Sequence, residues 1–255
     1  MFHSANNPTR FASFFSDAAE ACVAALDLVF PRDCAGCGRA VDRPHGHVCW
    51  ECFRSIELRA TGLCRQCGLT IEGQTVHDFV CSACRDHEPA FEMARSASRF
   101  SGVVREMLHQ FKYGGATWLC RDLADLLHGC VLGHYGAEEV DLVVPVPLHG
   151  QKRRDRGYNQ AALLAAALAS RLNRPQAGDV LMRTRDTPTQ TKLHAEQRRK
   201  NVRNAFAVCA PEWVRGRTVL LVDDVMTTGA TLSEAAATLK RAGARRVWAA
   251  TVARG

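Results

Sequence analysis

Apolar residues in this chain fall into short runs separated by helical stripes. Val140–Val146, Val180–Arg183, Thr218–Val222 and Val247–Val252 are brief and rich in β-branched or aliphatic residues, the pattern of strands buried on both faces. Between them, Ser101–Tyr113 carries Val103, Val104, Met107, Leu108 and Phe111 on one helical side. Helices are also expected over Trp118–Leu132, over Asn159–Leu172, and behind Thr231, where Leu232, Ala235, Ala236 and Leu239 recur. Alternating strand and helix predicts an α/β fold with a parallel sheet covered on both faces. Near the start, Phe11, Phe14, Phe15, Ala18, Cys22, Ala25 and Val29 keep helical spacing until Pro31 ends the segment. Asp17, Glu20 and Asp27 interrupt that stretch, which favours a docking helix over a membrane-surface helix. No apolar stretch approaches bilayer-spanning length and no secretory pattern opens the chain, so a cytoplasmic protein without membrane insertion is expected.

The most informative junction lies where Val219–Val222 runs into Asp223-Asp224-Val225-Met226-Thr227-Thr228-Gly229-Ala230-Thr231 and then into a helix. Ligands in open α/β sheets sit beyond the carboxyl ends of strands, so the two carboxylates should face a site. The Thr-rich turn offers hydroxyls and backbone N–H groups at a helix N-terminus, with a glycine for close approach. Thr231 and Glu234 fit a capping box. A phosphate cup beside two acceptors for vicinal hydroxyls matches a 5-phosphorylated ribose. The competing interpretation, a strand whose acidic end holds Mg²⁺ near a nucleotide, needs a Gly-x-x-x-x-Gly-Lys-Ser/Thr loop. The chain contains neither that loop nor a Gly-x-Gly-x-x-Gly after a strand.

Eight of the twelve cysteines form four Cys-x-x-Cys pairs: Cys34/Cys37, Cys49/Cys52, Cys64/Cys67 and Cys81/Cys84. Gly38 and Gly68 directly follow two of them, as in a zinc knuckle. Alternating knuckle and second pair favours two sequential four-thiolate Zn²⁺ sites, with an interleaved assignment left open by the spacing. Four ligands per ion close the coordination shell, so these ions should be structural. Disulfides are the alternative, and a reducing compartment disfavours them. Cys22, Cys120, Cys130 and Cys209 stand alone in apolar segments and read as small buried residues. The expected organisation is an N-terminal helix over residues 1–30, a small cysteine-rich double zinc-ribbon module over 31–90, and the α/β domain over 91–255.

Net charge is +7, and its distribution says more than its total. Residues 151–203 hold 13 Lys and Arg against four Asp and Glu, whereas residues 31–90 hold seven basic and eight acidic residues. The positive field therefore belongs to the α/β half and suits a ligand with several phosphates or a nucleic-acid backbone; charge alone does not separate the two. Residues 184–204 are polar and basic without an apolar period, and read as a loop that closes over bound ligand and excludes water.

The acidic junction resembles the diphosphoribose-binding signature of type I phosphoribosyltransferases, and the whole chain is similar to the ComF family. The resemblance takes in Phe111-Lys112-Tyr113, Val144-Pro145-Val146-Pro147-Leu148, Arg156-Gly157-Tyr158-Asn159-Gln160, then Gln190, Leu193, Arg198, Asn201 and Phe206, and the paired cysteines. It implies a type I phosphoribosyltransferase-like parallel-sheet domain preceded by a double zinc ribbon, binding phosphoribosyl diphosphate with Mg²⁺. On that footing Asp223 and Asp224 would hold the ribose hydroxyls, and Val225 to Thr231 would form the 5-phosphate loop. Pro145 and Val146 would begin the pyrophosphate loop, Arg156 would contact the phosphates, and Arg198 would join the catalytic residues from the closing loop. Lys112, Gln190 and Asn201 would contact the donor, although a helix-end lysine such as Lys112 equally suits plain solvation. The acceptor is unidentified, a nitrogen nucleophile being expected, and the resemblance links some members to DNA uptake in natural competence. It also implies a DNA or competence-machinery partner. The alternative function is a non-catalytic protein that senses phosphoribosyl diphosphate or engages such a partner.

Overall fold

The structure, a computed structural model, describes residues 32–41, 46–59, 61–70, 79–185 and 195–255. The helix expected over residues 1–30 lies outside them. A four-stranded parallel sheet forms the centre, built from β1 (Met93–Arg99), β2 (Leu142–Pro145), β5 (Thr218–Met226) and β6 (Arg246–Arg254) in the order β1-β6-β5-β2. Its central strands alternate between two cores. Leu220, Val222, Trp248, Ala250 and Val252 pack with α3 (Gly102–Tyr113), α4 (Cys120–His134) and α6 (Gln160–Leu172). Val219, Leu221, Val247 and Ala249 face the opposite way and pack with Leu232, Ala235, Ala236 and Leu239 of α8 (Ala230–Arg241). Two buried faces explain the unbroken aliphatic runs, because no position on such a strand is left for a polar residue. Each fully buried Leu or Val contributes about 1.5–3 kcal/mol relative to exposure.

Three expectations need correction. Val180–Arg183 does not join the parallel sheet: β3 (Leu181–Arg183) pairs antiparallel with β4 (Phe206–Val208), a strand the sequence did not announce. β1, with Arg95, Ser96 and Ser98 interrupting its apolar residues, was also missed. Its polar side chains are absorbed by specific bonds, such as Ser96 Oγ to Thr251 Oγ1 at 2.7 Å and Ser98 Oγ donating to Val252 O at 2.9 Å. Finally, the polar segment over 184–204 is not all loop, since Ala195–Val202 forms α7 and buries Val202 beside α8. Residues 186–194 lie outside the described set.

The cysteine-rich segment contributes two short helices, α1 (Trp50–Arg54) and α2 (Ser82–Asp86), each holding the second cysteine of its pair. It lies along the open edge of β1. Arg59 N donates to Ala97 O, Arg99 N to Glu57 O, and Ala94 N to Gln66 O. Gly68 makes that approach feasible: its φ is +66°, and a Cβ there would meet Ala94 O at 2.7 Å. Covering the edge strand this way removes a row of unpaired backbone groups. No helix among the described residues is long and apolar enough to cross a membrane.

Candidate functional site

β5 extends four residues beyond the expected end, staying paired with β6 as far as Met226 opposite Arg254. Asp223 and Asp224 therefore sit within the paired end of the strand rather than past it. Asp224 is 7% exposed and receives Lys112 from the end of α3, with Nζ to Oδ2 at 2.7 Å. The solvated-lysine alternative for Lys112 is thus excluded. Burial opposes the lysine's charge, but Asp224, and Asp223 behind it, outweigh that and raise its pKa. Asp223 is pushed up to about 8, first by burial and then by the Asp224 carboxylate. Two adjacent carboxylates share one nearby cation, so ionising both is costly and the Asp223 carboxyl holds its proton more tightly than a free one.

These groups line a cleft of about 490 Å³ together with Tyr113, Val146, Lys152, Arg156, Arg183 and Thr231. The basic run after the Pro-rich corner lies on α5 (Gly150–Arg156), capped by His149. Lys152, Asp155 and Arg156 stand three and four residues apart, so one helical face turns them into the cleft. Arg153 and Arg154 do not line it. The Arg156 guanidinium lies 5.1 Å over the Tyr113 ring. The block that follows is mainly a brace. Tyr158 OH donates to Phe111 O, and Asn159 Nδ2 donates to Val146 O at 3.1 Å while its Oδ1 accepts from Ala161 N to cap α6.

A second recess of about 70 Å³ is enclosed by Val225 to Leu232 and shares Asp223 and Thr231 with the cleft. Its floor is apolar: Met226 is 1% exposed and Ala230 is buried. Thr227 and Thr228 are exposed at its mouth. The N-cap of α8 is Gly229, at φ +78°, and not Thr231. The expected capping box is therefore absent, and the Glu234 carboxylate accepts from Asn204 N at 3.0 Å instead. A glycine N-cap has no side chain to satisfy the first-turn N–H groups, which suits an anion there.

Other expectations fare unevenly. Pro145 ends β2 and pairs with Val222, and the Val146 N–H is used by Val222 O at 2.8 Å. Donors for a pyrophosphate must therefore come from beyond that corner. Asn201 lies on α7 and lines neither cavity. Gln190 lies outside the described residues, and of Arg198 only the backbone is described. Asp155 and Arg183 were missed, because nothing marks an arginine at the end of a short edge strand as cleft-facing. Cys209 is exposed, not buried.

The thiols group as Cys34, Cys37, Cys49 and Cys52, and as Cys64, Cys67, Cys81 and Cys84, with all sulfurs of a group within 4.8 Å. The pairing is sequential. Cys37 to Cys49 and Cys67 to Cys81 are 3.8 and 3.6 Å between sulfurs, far beyond a disulfide's ~2.05 Å. They match the edge of a tetrahedron with bonds of about 2.3 Å, which is roughly 3.8 Å. Backbone N–H groups of Gly36 and Cys49 point at Cys34 Sγ, and that of Cys81 at Cys64 Sγ. Both groups thus fit closed structural Zn²⁺ sites. Among the described residues, no part of the cysteine module lines either cavity.

Residues 158–255 match the phosphoribosyl transferase domain family, and residues 25–87 match the double zinc ribbon domain family. The chain is 32% identical over 196 residues to competence protein F of Haemophilus influenzae, covering 75% of this chain and 84% of that protein. It is 33% identical over 223 residues to the DNA utilization protein YhgH of Escherichia coli K12, covering 86% and 96%. Competence protein ComFC of Bacillus subtilis is 25% identical over 214 residues, covering 79% and 81%. Among solved structures, the glutamine phosphoribosylpyrophosphate amidotransferase from B. subtilis is similar over 52% of this chain and 26% of that one, at 22% identity and a TM-score of 0.35.

Proposed function

This chain belongs to the ComF family, and we propose that it binds phosphoribosyl diphosphate in the paired cavities and transfers its phosphoribosyl group to a small acceptor. The observation that carries this reading is the recess of residues 225–232 joined through Asp223 and Thr231 to a cleft rimmed by Lys112, Lys152, Arg156 and Arg183. A ligand with one phosphate, two vicinal hydroxyls and a pyrophosphate has that sequence of groups. The 5-phosphate would take the N–H groups of the 227–231 turn and the hydroxyls of Thr227, Thr228 and Thr231. The ribose hydroxyls would donate to Asp223 and Asp224. Lys152, Arg156 and Arg183 would hold the pyrophosphate, with arginines able to grip two oxygens at once.

Breaking the bond to pyrophosphate leaves positive charge on the ribose ring and negative charge on the leaving group. With the donor bound in this way, the carboxylates would lie beneath the ring and the cations beside the leaving group, where each charge would grow. The oxygen-only donor set of Asp223 and Asp224 fits Mg²⁺, which when bound would neutralise pyrophosphate oxygens. Arg198 and Gln190 are proposed to join from the 184–204 segment, closing over the donor. The nucleophile, a nitrogen by this reading, would approach the face of the ring opposite the leaving group. The free thiol clusters suit a reducing cytoplasm. The relatives' names support a role connected with DNA uptake, and Arg153 and Arg154, on the side of α5 away from the cleft, offer a surface to a nucleic-acid or competence partner.

Pyrophosphate release, followed across nucleobases and small amines with Mg²⁺ present, tests the transfer step. Release that requires both an acceptor and Asp223 with Asp224 is the expected result. Donor binding with no release on any acceptor would favour a sensor over an enzyme.

A further inference from the structure

Resting on the reading of the 227–231 turn as a phosphate cup, we propose that the second cysteine cluster is part of the cup's scaffold, so that metal held by Cys64, Cys67, Cys81 and Cys84 sets the cup's affinity. The first cluster braces a different part of the molecule.

Three connections run from the second cluster to the cup. The first passes through buried guanidiniums. Arg254 Nη1 donates to Cys67 O at 2.5 Å, and Arg95 Nη1 donates to Cys64 O and Arg65 O at 3.3 and 3.1 Å. Arg254 is 5% exposed and stands opposite Met226, whose carbonyl accepts from the next N–H, that of Gly255, at 3.0 Å. The knuckle is therefore held by the residue that ends the strand beneath the cup. The second connection is the chain leaving Cys84. Ala90 N donates to Ser233 Oγ at 3.0 Å, in the first turn of α8. Phe91, 2% exposed, backs Gly229 so closely that a Cβ on that glycine would stand 3.6 Å from its ring. The third is a shared core: all four cysteines of this cluster pack in one apolar cluster with Phe91, Met226 and Leu232.

The first cluster reaches elsewhere. Cys34, Cys49 and Cys52 pack in the other core, with Met107, Leu108 and Phe111. Ala35 O accepts from Gln110 Nε2 at 2.9 Å, and Gly36 lies against Val103, so this cluster supports α3. Neither ribbon has enough apolar residues of its own to stay ordered without its ion. Loss of the second ion should thus release residues 85–92 and, with them, one wall of the cup.

The test compares zinc-loaded native protein with three variants: Cys81→Ser with Cys84→Ser, Cys49→Ser with Cys52→Ser, and Phe91→Ala, which leaves both clusters intact. Zinc content, amide hydrogen exchange without ligand, and calorimetric binding of ribose 5-phosphate are measured on each. The second-cluster variant and Phe91→Ala should speed exchange at Ser233, Glu234 and Gly255 at least tenfold and weaken ribose 5-phosphate at least tenfold. The first-cluster variant should keep those amides within twofold of native while loosening α3. Native exchange at the cup after loss of the second ion, or equal loosening of the cup from either cluster, overturns the proposal. Should the cysteine variants precipitate, native exchange at these amides in Phe91→Ala overturns it as well. A native protein that ignores ribose 5-phosphate refutes the phosphate reading alone, because the exchange measurement needs no ligand and still decides the coupling.

Discussion

Replacing Asp223 by Asn should make the ligand-free protein more stable while weakening its hold on the donor. The Asp223 carboxyl is pushed up to about 8 from 3.8, by burial first and by the Asp224 carboxylate second. Between those values the folded state keeps a proton that the unfolded state has released. Stability must therefore fall as pH rises through that window, at no more than about 1.4 kcal/mol per pH unit. Asp223 retains partial solvent access, and water at the carboxyl lowers the folded-state pKa, which narrows the window from above without changing the slope inside it. Asn has no proton to lose, so between pH 5 and pH 7 the variant should gain about 1–3 kcal/mol on the native protein. For a chain of this size that is roughly 3–10 °C in Tm. Urea unfolding of zinc-loaded protein at several pH values, with an unchanged m-value as the control, measures it. Parallel stability curves for the two proteins would refute the argument that Asp223 is strained. The same variant should bind phosphoribosyl diphosphate at least tenfold more weakly, since a carboxylate that accepts from hydroxyls has been removed.

Other substitutions separate the parts of the site. Lys112→Met takes the ion-pair partner from Asp224 and should raise the Asp223 pKa further, so the pH at which donor binding reaches half its maximal affinity moves upward in a calorimetric pH series. Arg156→Ala should weaken pyrophosphate as a competitor by about tenfold and flatten the salt dependence of binding, whereas an unchanged salt dependence would remove Arg156 from the pyrophosphate site. Gly68→Ala should destabilise the protein by about 2 kcal/mol or more, because left-handed backbone strain adds to the clash with Ala94 O. Gly38→Ala, with φ +71° but open space around it, should cost only about 1–2 kcal/mol. Thermal unfolding that ranks the two glycines equally would show that the knuckle does not press on β1.

The parallel sheet was legible because strands buried on both faces leave continuous aliphatic runs, and β2, β5 and β6 all carry one. β1 was not, since its serines and arginine find partners on β6 and the knuckle that no local pattern announces. The four Cys-x-x-Cys pairs were legible as two four-thiolate sites, but their spacing favoured sequential pairing without excluding an interleaved one, and only the positions of the sulfurs decide it. At the site, the identity of the acidic pair and the Thr-rich turn could be read directly. Their surroundings could not. The ion pair from Lys112 depends on where α3 ends in space, and Arg183 reaches the cleft only because β3 leaves the main sheet to pair with β4. The capping box failed for a specific reason: Gly229 adopts a left-handed conformation and starts α8 two residues before Thr231.

The measurement closest to the central claim is calorimetric titration of phosphoribosyl diphosphate with Mg²⁺ into zinc-loaded native protein and into the variant carrying Asp223→Asn with Asp224→Asn. One saturable site in the native protein, lost in a variant that still unfolds cooperatively, is the predicted result. No binding to the native protein, or equal binding to both, would contradict the assignment of the two aspartates and the turn behind them to the donor.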